Sequence, residues 1–333
     1  MNGLRRSWIV CVLFCLVLSF AQVSLAQEAT PEAAQEVELV TTQINDNFYV
    51  ITTSNPMDST IVVHIGEDGT LLVDSHWSFN NPMIMAAVEG ITDQPVRYVI
   101  DTHWHPDHTD GNANFNAVGA LLMAHHTVRT RMANGQVIEL FQVEVAPYPE
   151  EALPELTFTD AVTLHVNGEA VQVLFTAAAH TDGDAIVYFP QGNVIHMGDV
   201  YIPGTYPFVD VSSGGNALGF FDVIERAVGL INPDTVVVPG HGQGLATTAD
   251  LQAYLDMLRI VRDRIETGIS DGLTLEDIIA QSPTAEFVAT YGLTLIPGEQ
   301  FVAWLYEALT ASGSEDGETQ PETTAEATAE GGN

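Results

Sequence analysis

Histidine and aspartate side chains that could bind a metal are concentrated in one short stretch of the chain. Residues 103–108 read HWHPDH and follow the buried strand that ends in Val99-Ile100, after only Asp101 and Thr102. A strand that ends in a tight loop places His103 and His105 on one side, as alternate residues, and points Asp107 and His108 toward a neighbouring position. Imidazole and carboxylate groups are the ligands that zinc prefers where thiolates are absent. The stretch therefore predicts a metal site.

Three more candidate ligands lie later in the chain, each shortly after another apolar run: His180, Asp199 and His241. Each is placed where a predicted strand gives way to a loop, as in the first stretch. The other six histidines have no ligand spacing, and we expect them to be core or surface residues. Among them, His76 closely follows a strand-end aspartate, Asp74, and could line a cleft.

The composition excludes several other chemistries. The chain has 333 residues with 9 basic against 44 acidic side chains, and a formal net charge of −35 leaves no basic stripe for a nucleic-acid backbone. All nine basic residues are arginines, so no Schiff-base or phosphate-binding lysine is available. A hydrophobic share of 46% supports a folded core and excludes a disordered chain. We expect a small-molecule substrate and no nucleic-acid partner.

Residues 1–26 have the pattern of a secretory signal peptide. Arg5 and Arg6 precede an apolar run from Trp8 to Phe20, and the small-x-small exit Ser24-Leu25-Ala26 predicts cleavage at its end. A retained membrane anchor is the alternative, but a run of about 13 residues is short for a bilayer. We expect the mature protein to be secreted or periplasmic, with no membrane attachment after cleavage.

The segments that flank the predicted folded part have distinctive compositions. Both cysteines, Cys11 and Cys15, lie within the signal segment, so the mature chain would contain no disulfide and no thiolate ligand. Residues 27–36 form a polar lead-in, and residues 311–333 form an acidic tail of low complexity. Both compositions are typical of disordered segments.

Between residues 37 and 245 the chain reads chiefly as strands, and residues 246–310 read as a helical C-terminal extension. Asn167-Gly168 is a strong hairpin signal, and Thr274 is a plausible helix N-cap. The pattern predicts an α/β (α+β) chain with a two-layered β core and outer helices. Predicted strands cover residues 48–51, 60–63, 70–73, 96–100, 162–166, 170–175, 185–189, 194–197 and 235–238, and predicted helices cover residues 83–91, 220–231, 251–269, 275–281 and 301–309.

The order of the candidate ligands resembles the metal signature of the metallo-β-lactamase superfamily. The signature here is the HxHxDH stretch at residues 103–108, then His180, Asp199 and the Pro239-Gly240-His241 stretch, and the resemblance covers roughly residues 37–245. A lone His-x-His would be weak, but the whole set in family order is specific. The resemblance implies an αββα sandwich with the site along the edge between two sheets.

The resemblance also implies a role for each candidate residue. Two zinc ions would be bound, with iron or manganese possible, and a hydroxide held between them would be the nucleophile. Asp107 would be the catalytic residue that orients this hydroxide, and Asp74 would fix a histidine tautomer from behind. The first metal would be held by His103, His105 and His180, the second by Asp107, His108 and His241, and Asp199 would bridge them.

Asp199 is the most informative residue for the reaction. β-Lactamases of this family carry cysteine or serine at or beside the bridging position, whereas thioesterases, lactonases and phosphoesterases carry aspartate. The resemblance therefore implies an exported binuclear hydrolase of an ester, lactone, thioester or related bond, although residues 176–184 depart from the thioesterase pattern. A β-lactamase, an iron-dependent redox enzyme and a non-catalytic metal-binding scaffold are the alternatives.

The charge balance also bears on the substrate. An anionic substrate is normally held by lysine or by a bidentate arginine, and lysine is absent. We expect a neutral or weakly charged substrate that is held largely by an aromatic wall. The candidates for this wall are Trp77, Trp104, Tyr201 and Tyr206.

Overall fold

The computed structural model describes residues 37–293 and 295–315. The predicted signal peptide and lead-in, residues 1–36, lie outside the described residues, as does the predicted tail from residue 316. The described residues from Val37 onward belong to one compact unit. Within them, no helix combines the length and the apolar character that crossing a membrane requires.

Strands and helices alternate along the first two thirds of the described chain, and helices dominate the last third. The strands are β1 (Leu39–Gln43), β2 (Phe48–Thr53), β3 (Ile61–His64), β4 (Thr70–Val73), β5 (Val96–Ile100), β6 (Leu121–His125), β7 (Gln136–Ile138), β8 (Val143–Val145), β9 (Leu156–Phe158), β10 (Ala161–Val166), β11 (Glu169–Phe175), β12 (Ala185–Phe189), β13 (Val194–His196), β14 (Val236–Val238) and β15 (Ala246–Thr247). The α-helices are α1 (Asn81–Ile91), α2 (Pro106–Thr109), α3 (Asn112–Ala117), α4 (His126–Asn134), α5 (Gly219–Leu230), α6 (Thr248–Ser270), α7 (Leu275–Ala280), α8 (Val288–Tyr291) and α9 (Gly298–Glu315).

The strands form two large sheets and one small hairpin. The first sheet has the order β1-β2-β3-β4-β5-β6-β9, and the second has the order β10-β11-β12-β13-β14-β15. β4, β5, β6 and β9 run parallel, as do β13 and β14, whereas the other pairs in the two sheets are antiparallel. Because parallel strands share a carboxyl edge, the loops after β4 and β5 emerge side by side.

Apolar residues of both sheets meet in a single buried layer. Val62 and Ile100 of the first sheet belong to the same cluster as Val187 and Phe189 of the second, so the two sheets pack face to face. Ile84 of α1 packs with residues of the first sheet in a second cluster on its outer face.

The second sheet is covered by α5, α6 and α9, whose apolar faces supply Phe220, Leu258 and Phe301 to the largest buried cluster of the described residues. Helices therefore lie on both outer faces of the pair of sheets, and the expected αββα sandwich is confirmed. Thr274 caps α7 as predicted, since its hydroxyl accepts from the backbone N–H of Asp277.

Two predicted boundaries need correction. The boundary between residues 245 and 246 does not separate a strand region from a helical extension, because Ala246 and Thr247 pair with β14 as the last strand of the second sheet. The predicted tail also begins too early, since α9 continues through residues 311–315. The helical extension is thus an integral layer of the sandwich.

Candidate metal centre

The candidate ligands lie in loops that follow strand ends at one edge of the sandwich. Pro106 begins α2, where a proline ring suits the first helical turn, and this turn points the two residues after it away from His105. The edge collects one short segment from each of five strands. Asp74 follows β4, His103 and His105 follow β5, Asp107 and His108 lie in α2, His180 follows β11, Asp199 follows β13, and His241 follows β14.

These side chains form two groups whose nitrogen and oxygen atoms lie within 4.8 Å of one another inside each group. The structure thus brings together every residue that the sequence predicted as a ligand, and it divides them as predicted. The first group is His103, His105, His180 and Asp199, and the second is Asp107, His108 and His241.

Asp199 connects the two groups. Its Oδ2 lies 3.6 Å from Nε2 of His180 in the first group and 3.0 Å from Nε2 of His241 in the second. Its Oδ1 lies 3.2 Å from Nε2 of His108. The side chain is 4% exposed, so this carboxylate is buried among imidazoles.

The second group is the more open of the two. Oδ2 of Asp107 lies 3.3 Å from Nε2 of His108 and 3.3 Å from Nε2 of His241. The Asp107 side chain is 17% exposed, whereas that of His108 is fully buried. Solvent therefore reaches the centre at Asp107.

Hydrogen bonds on the outer side of the first group fix which nitrogen of each imidazole carries the proton. Nε2 of His105 lies 3.0 Å from Oδ2 of Asp210, and Nδ1 of His180 lies 2.8 Å from the carbonyl oxygen of Phe208. A carboxylate and a carbonyl only accept, so both of these outer nitrogens donate. The inner nitrogens, Nδ1 of His105 and Nε2 of His180, carry lone pairs in the neutral rings.

Asp74 organises the outer side of two further histidines. Its Oδ2 accepts from Nδ1 of His108 at 2.7 Å, and its two oxygens accept from the backbone N–H and the hydroxyl of Thr102 at 2.7 and 3.0 Å. Because the Thr102 hydroxyl donates to Asp74, it accepts from Nδ1 of His103 at 3.1 Å. In the neutral form of each ring, this arrangement places the proton on the outer Nδ1 and leaves the inner Nε2 with a lone pair, a role for Asp74 that the sequence predicted for one histidine.

The donor set fits a metal on physical grounds. The inner nitrogens of His105 and His180 face each other at 2.9 Å, and two lone pairs at that distance repel unless a cation lies beside both. Nε2 of His103 is buried without a hydrogen-bond partner among the described residues. Leaving such an atom unpaired is costly, whereas a metal ion would satisfy it.

The electrostatics of the centre follow from burial and from the mutual charges. Burial, together with the neighbouring His108, lowers the pKa of His103 well below its ordinary value, and burial lowers the pKa of His180 to about 4. These rings stay neutral, which is the form that binds metal. Burial also lowers the pKa of His108, but the carboxylates of Asp107 and Asp199 outweigh it, and the net pKa is raised. The carboxylates therefore attract a cation to this point.

The backbone is shaped closely around the bridging carboxylate. A Cβ atom at Gly240 would collide with Oδ1 of Asp199, so only glycine fits directly before His241. Asp74 and His76 adopt left-handed backbone angles, with φ of 67° and 61°. Each such residue costs about 1–2 kcal/mol, so the loop after β4 is held in place by its hydrogen bonds to the α2 region.

A family comparison agrees with this geometry. The sequence model of the metallo-β-lactamase superfamily matches residues 55–263, a range that contains every candidate ligand. The chain belongs to the metallo-β-lactamase superfamily. This superfamily consists of metal-dependent hydrolases, and the two ligand groups lie where its predicted signature falls.

Two relatives of this chain have low sequence identity to it, but each match covers about two thirds of the chain. A metallo-β-lactamase type 2 from Bacteroides fragilis is 20% identical over 239 residues, which is 69% of this chain and 89% of that protein. A linear primary-alkylsulfatase from a Pseudomonas species is 23% identical over 266 residues, 67% of this chain and 50% of that protein. This chain therefore matches only half of the alkylsulfatase.

Solved structures show the same fold. A metallo-β-lactamase from Pontibacter korlensis superposes with a TM-score of 0.55 at 20% identity, over 67% of this chain and 99% of that one. The DIM-1 metallo-β-lactamase superposes with a TM-score of 0.51 at 17% identity, with the same coverage of each chain. At this level of identity the likeness establishes the fold alone.

The prediction that four aromatic residues form a substrate-binding wall is largely wrong. Trp104, Tyr201 and Tyr206 are 1%, 4% and 0% exposed and belong to the buried cluster under the C-terminal helices. Trp77 is half-buried and stacks on Phe79 with ring centroids 5.8 Å apart. The sequence pattern of the strands did not show that Tyr201 and Tyr206, which follow β13, turn inward and pack beneath α6 and α9.

His76 is also buried, at 1% exposure, rather than lining an open cleft. Its Nδ1 accepts from the backbone N–H of Trp77 at 2.7 Å, and its Nε2 lies 4.0 Å from Oδ2 of Asp58. Burial is the main reason that the pKa of His76 is lowered to about 4. We therefore assign it to the packing around the second group.

Asp210 and Phe208 are the functional residues that the sequence did not reveal. Each holds the outer nitrogen of one histidine, and both come from the irregular segment between β13 and α5. Asp210 is itself held by Ser212 and Ser213, whose hydroxyls donate to its carboxylate. The only available signal was the short segment Asp210-Val211-Ser212-Ser213, which resembles an ordinary loop.

Proposed function

We propose that this protein is an exported hydrolase that uses two zinc ions to cleave an ester, lactone, thioester or related bond. The observation that carries the proposal is the position of Asp199, whose oxygens contact histidines of both ligand groups. A buried carboxylate shared by two sets of imidazoles is suited to bridging two metals. Iron or manganese would find acceptable donors in the same residues.

Two divalent metals held here would supply an activated water molecule and would polarise the bond to be cleaved. The residues of the chain do the rest. Asp107 is partly exposed, and its Oδ2 is held between Nε2 of His108 and Nε2 of His241. A carboxylate held in this way would accept a hydrogen bond from the attacking water and orient it. The hydroxyl of Ser59 donates to the backbone carbonyl of Asp107 and keeps this loop in place.

The similar proteins support hydrolysis and differ in their substrates, because one is a metallo-β-lactamase and another an alkylsulfatase. A bridging aspartate favours an ester-like or thioester-like bond. β-Lactam hydrolysis is the second candidate, since the match to the Bacteroides fragilis enzyme covers most of its length. The chain offers no lysine for a drug carboxylate, and Arg131 is already held by both oxygens of Asp182.

Two measurements test the proposal. Elemental analysis of the purified protein should find two zinc ions per chain, whereas iron with oxygen uptake would support a redox enzyme. A turnover screen over neutral esters, lactones, thioesters, β-lactams and phosphodiesters should find metal-dependent hydrolysis of one of the first three classes. Two bound metals without turnover of any substrate would support a metal-binding scaffold instead.

A further inference from the structure

A small hairpin beside the metal centre exposes an unusual number of apolar side chains. It consists of β7, β8 and the turn between them. Val137, Leu140, Phe141 and Val143 are 43–45% exposed. Apolar residues scattered singly on a surface are ordinary, but four on one ten-residue hairpin form a patch that usually serves binding. The sequence analysis did not predict this hairpin.

The hairpin is linked to the metal ligands through one aromatic ring. The ring of Phe141 lies 5.3 Å from that of Phe208, and the ring of Phe208 lies 4.8 Å from His180 and 6.0 Å from His105. Phe208 is itself only 4% exposed. The exposed patch therefore begins one ring away from two residues of the first ligand group.

The same hairpin forms one wall of a pocket behind His105. The pocket has a volume of about 230 Å³, and Leu140, Val211 and Trp304 supply its apolar walls. Asp210 lies in its lining and also accepts the hydrogen bond from His105. A water molecule occupies about 30 Å³ of the liquid. The pocket therefore has room for a short alkyl chain or an aromatic ring.

The charges around the pocket select a neutral occupant. In the described part of the chain, the residues that line it include the carboxylates of Glu139 and Asp210 but no basic side chain. Arg131 of α4, which contacts the hairpin at Gln136, binds Asp182 through two nitrogens at 2.7 Å and Gln136 through the third. An anionic group would be repelled here, whereas an apolar group would bury the exposed side chains.

We propose that this pocket and the apolar edge of the hairpin bind the alkyl or aryl group of a neutral substrate while its scissile bond lies at the metal centre. The proposal rests on the proposed hydrolase function and adds the substrate class to it. It places the apolar recognition surface on the hairpin, on the segment from Phe208 to Val211, and on Trp304 of α9. These segments are separate in sequence and converge beside His105.

Hydrolysis of two neutral 4-nitrophenyl esters, the acetate and the octanoate, tests the assignment. Phe141→Ser and Leu140→Ser should each lower kcat/KM for the octanoate about tenfold, since each removes apolar contact with the long chain, and should change the acetate rate less than twofold. Phe141→Leu should restore most of the octanoate rate. Val40→Ser, at an exposed apolar position of β1, is the matched control and should change neither rate. Equal losses for both esters, or no loss, would overturn the proposal.

A binding measurement separates failure of this proposal from failure of the hydrolase function. Hexyl phenyl ketone is neutral and cannot be hydrolysed, and calorimetric titration should show that it binds the unaltered protein and binds Phe141→Ser at least tenfold more weakly. Ketone binding of this kind without ester turnover would retain the surface and reject the hydrolase. Ester turnover with equal rates for both chain lengths would retain the hydrolase and reject the surface. Light scattering should give the same molecular mass for Phe141→Ser and the unaltered protein, since a loss of mass would assign the patch to contact between two copies.

Discussion

Oδ2 of Asp210 accepts a hydrogen bond from Nε2 of His105 at 3.0 Å, although the two residues lie 105 positions apart in the chain. This contact sets the proton on the outer nitrogen of His105 and turns its Nδ1 toward His180. Asp210 is therefore as important for the first ligand group as Asp74 is for the second.

Asp210→Ala should weaken binding of the first metal by 10- to 100-fold, in keeping with the usual effect of removing a group that orients a histidine ligand. Competition with a fluorescent zinc chelator measures this affinity directly. Asp93→Ala, at an exposed aspartate after α1, is the control and should bind zinc like the unaltered protein. Unchanged zinc affinity in Asp210→Ala would show that the hydrogen bond does not position His105.

The candidate metal ligands could be predicted from the sequence, because their types and order match a known metal signature. Most of the residues that orient these ligands could not be predicted. Strands β5 and β12 begin and end where they were predicted, because short segments rich in branched and aromatic side chains and bounded by aspartate and proline are typical of strands. β6 was missed, since Leu121–His125 is a short strand that ends in a histidine and is followed directly by the polar helix α4, which begins with a second histidine, His126. The hairpin of β7 and β8 was missed because each strand has only three residues.

Outer contacts of the site were harder to predict than the ligands for a physical reason. Asp74 could be found because it ends an apolar strand that lies beside β5 in the sheet. Asp210 and Phe208 lie in an irregular segment, and their contacts with His105 and His180 depend on how that segment folds under α9. Contacts between distant loops leave no periodic signal in a sequence.

Two metals per chain are expected in the purified protein, and the two groups should lose them separately. His103→Ala should chiefly empty the first position and His241→Ala the second, because each removes a ligand of one group only. Elemental analysis after dialysis measures the stoichiometry. One metal per chain in the unaltered protein under metal-replete conditions would contradict the binuclear assignment.

Removing the metals should also destabilise the fold. The inner nitrogens of His105 and His180 lie 2.9 Å apart, and without a metal their lone pairs repel unless one of these buried rings takes up a second proton. Chelation should therefore lower the melting temperature, and adding zinc should restore it, with a further rise that follows the logarithm of the zinc concentration relative to the dissociation constant. An identical Tm with and without chelator would indicate that the cluster is stable without metal.

Asp107→Asn should keep the fold and lose most hydrolysis. The amide cannot supply the carboxylate charge that orients the attacking water, so activity should fall on the order of 100-fold or more. Circular dichroism should stay close to that of the unaltered protein, because Asp107 is the most exposed of the carboxylates at the centre. Since Asp107 also belongs to the second ligand group, activity should be measured with excess zinc and referred to the metal content of the variant. Full activity in a properly metallated variant would contradict the role of Asp107.

Gly240→Ala should disturb the bridging carboxylate without changing any ligand. The added Cβ would collide with Oδ1 of Asp199 and with the backbone of Gly198. We expect reduced metal content and a lower Tm. Gly244→Ala, four residues later, meets nothing within 4 Å and is the matched control. Equal metal content in the two variants would show that Asp199 can shift without losing its ligand role.

The substrate is expected to be neutral, and ionic strength should reveal this preference. The chain carries a formal net charge of −35, and its field repels anions until the metals themselves are reached. The arginines of α4 cannot offset this field, because Arg129 is paired with Glu150 at 2.6 Å and Arg131 with Asp182 at 2.7 Å. A neutral aryl ester should therefore have a higher kcat/KM than a matched analogue that bears a carboxylate.

Ionic strength distinguishes repulsion by the charge of the whole protein from a substrate preference that is set only by the residues at the metal centre. Raising the ionic strength from about 0.01 M to 0.15 M shortens the Debye length from about 30 Å to about 8 Å. The anionic analogue should then be hydrolysed faster, because the repelling field is screened, while the neutral ester should be hydrolysed at the same rate. Faster turnover of the anion at low salt, slowing as salt is added, would reveal an attractive field at the mouth of the centre and would contradict the prediction.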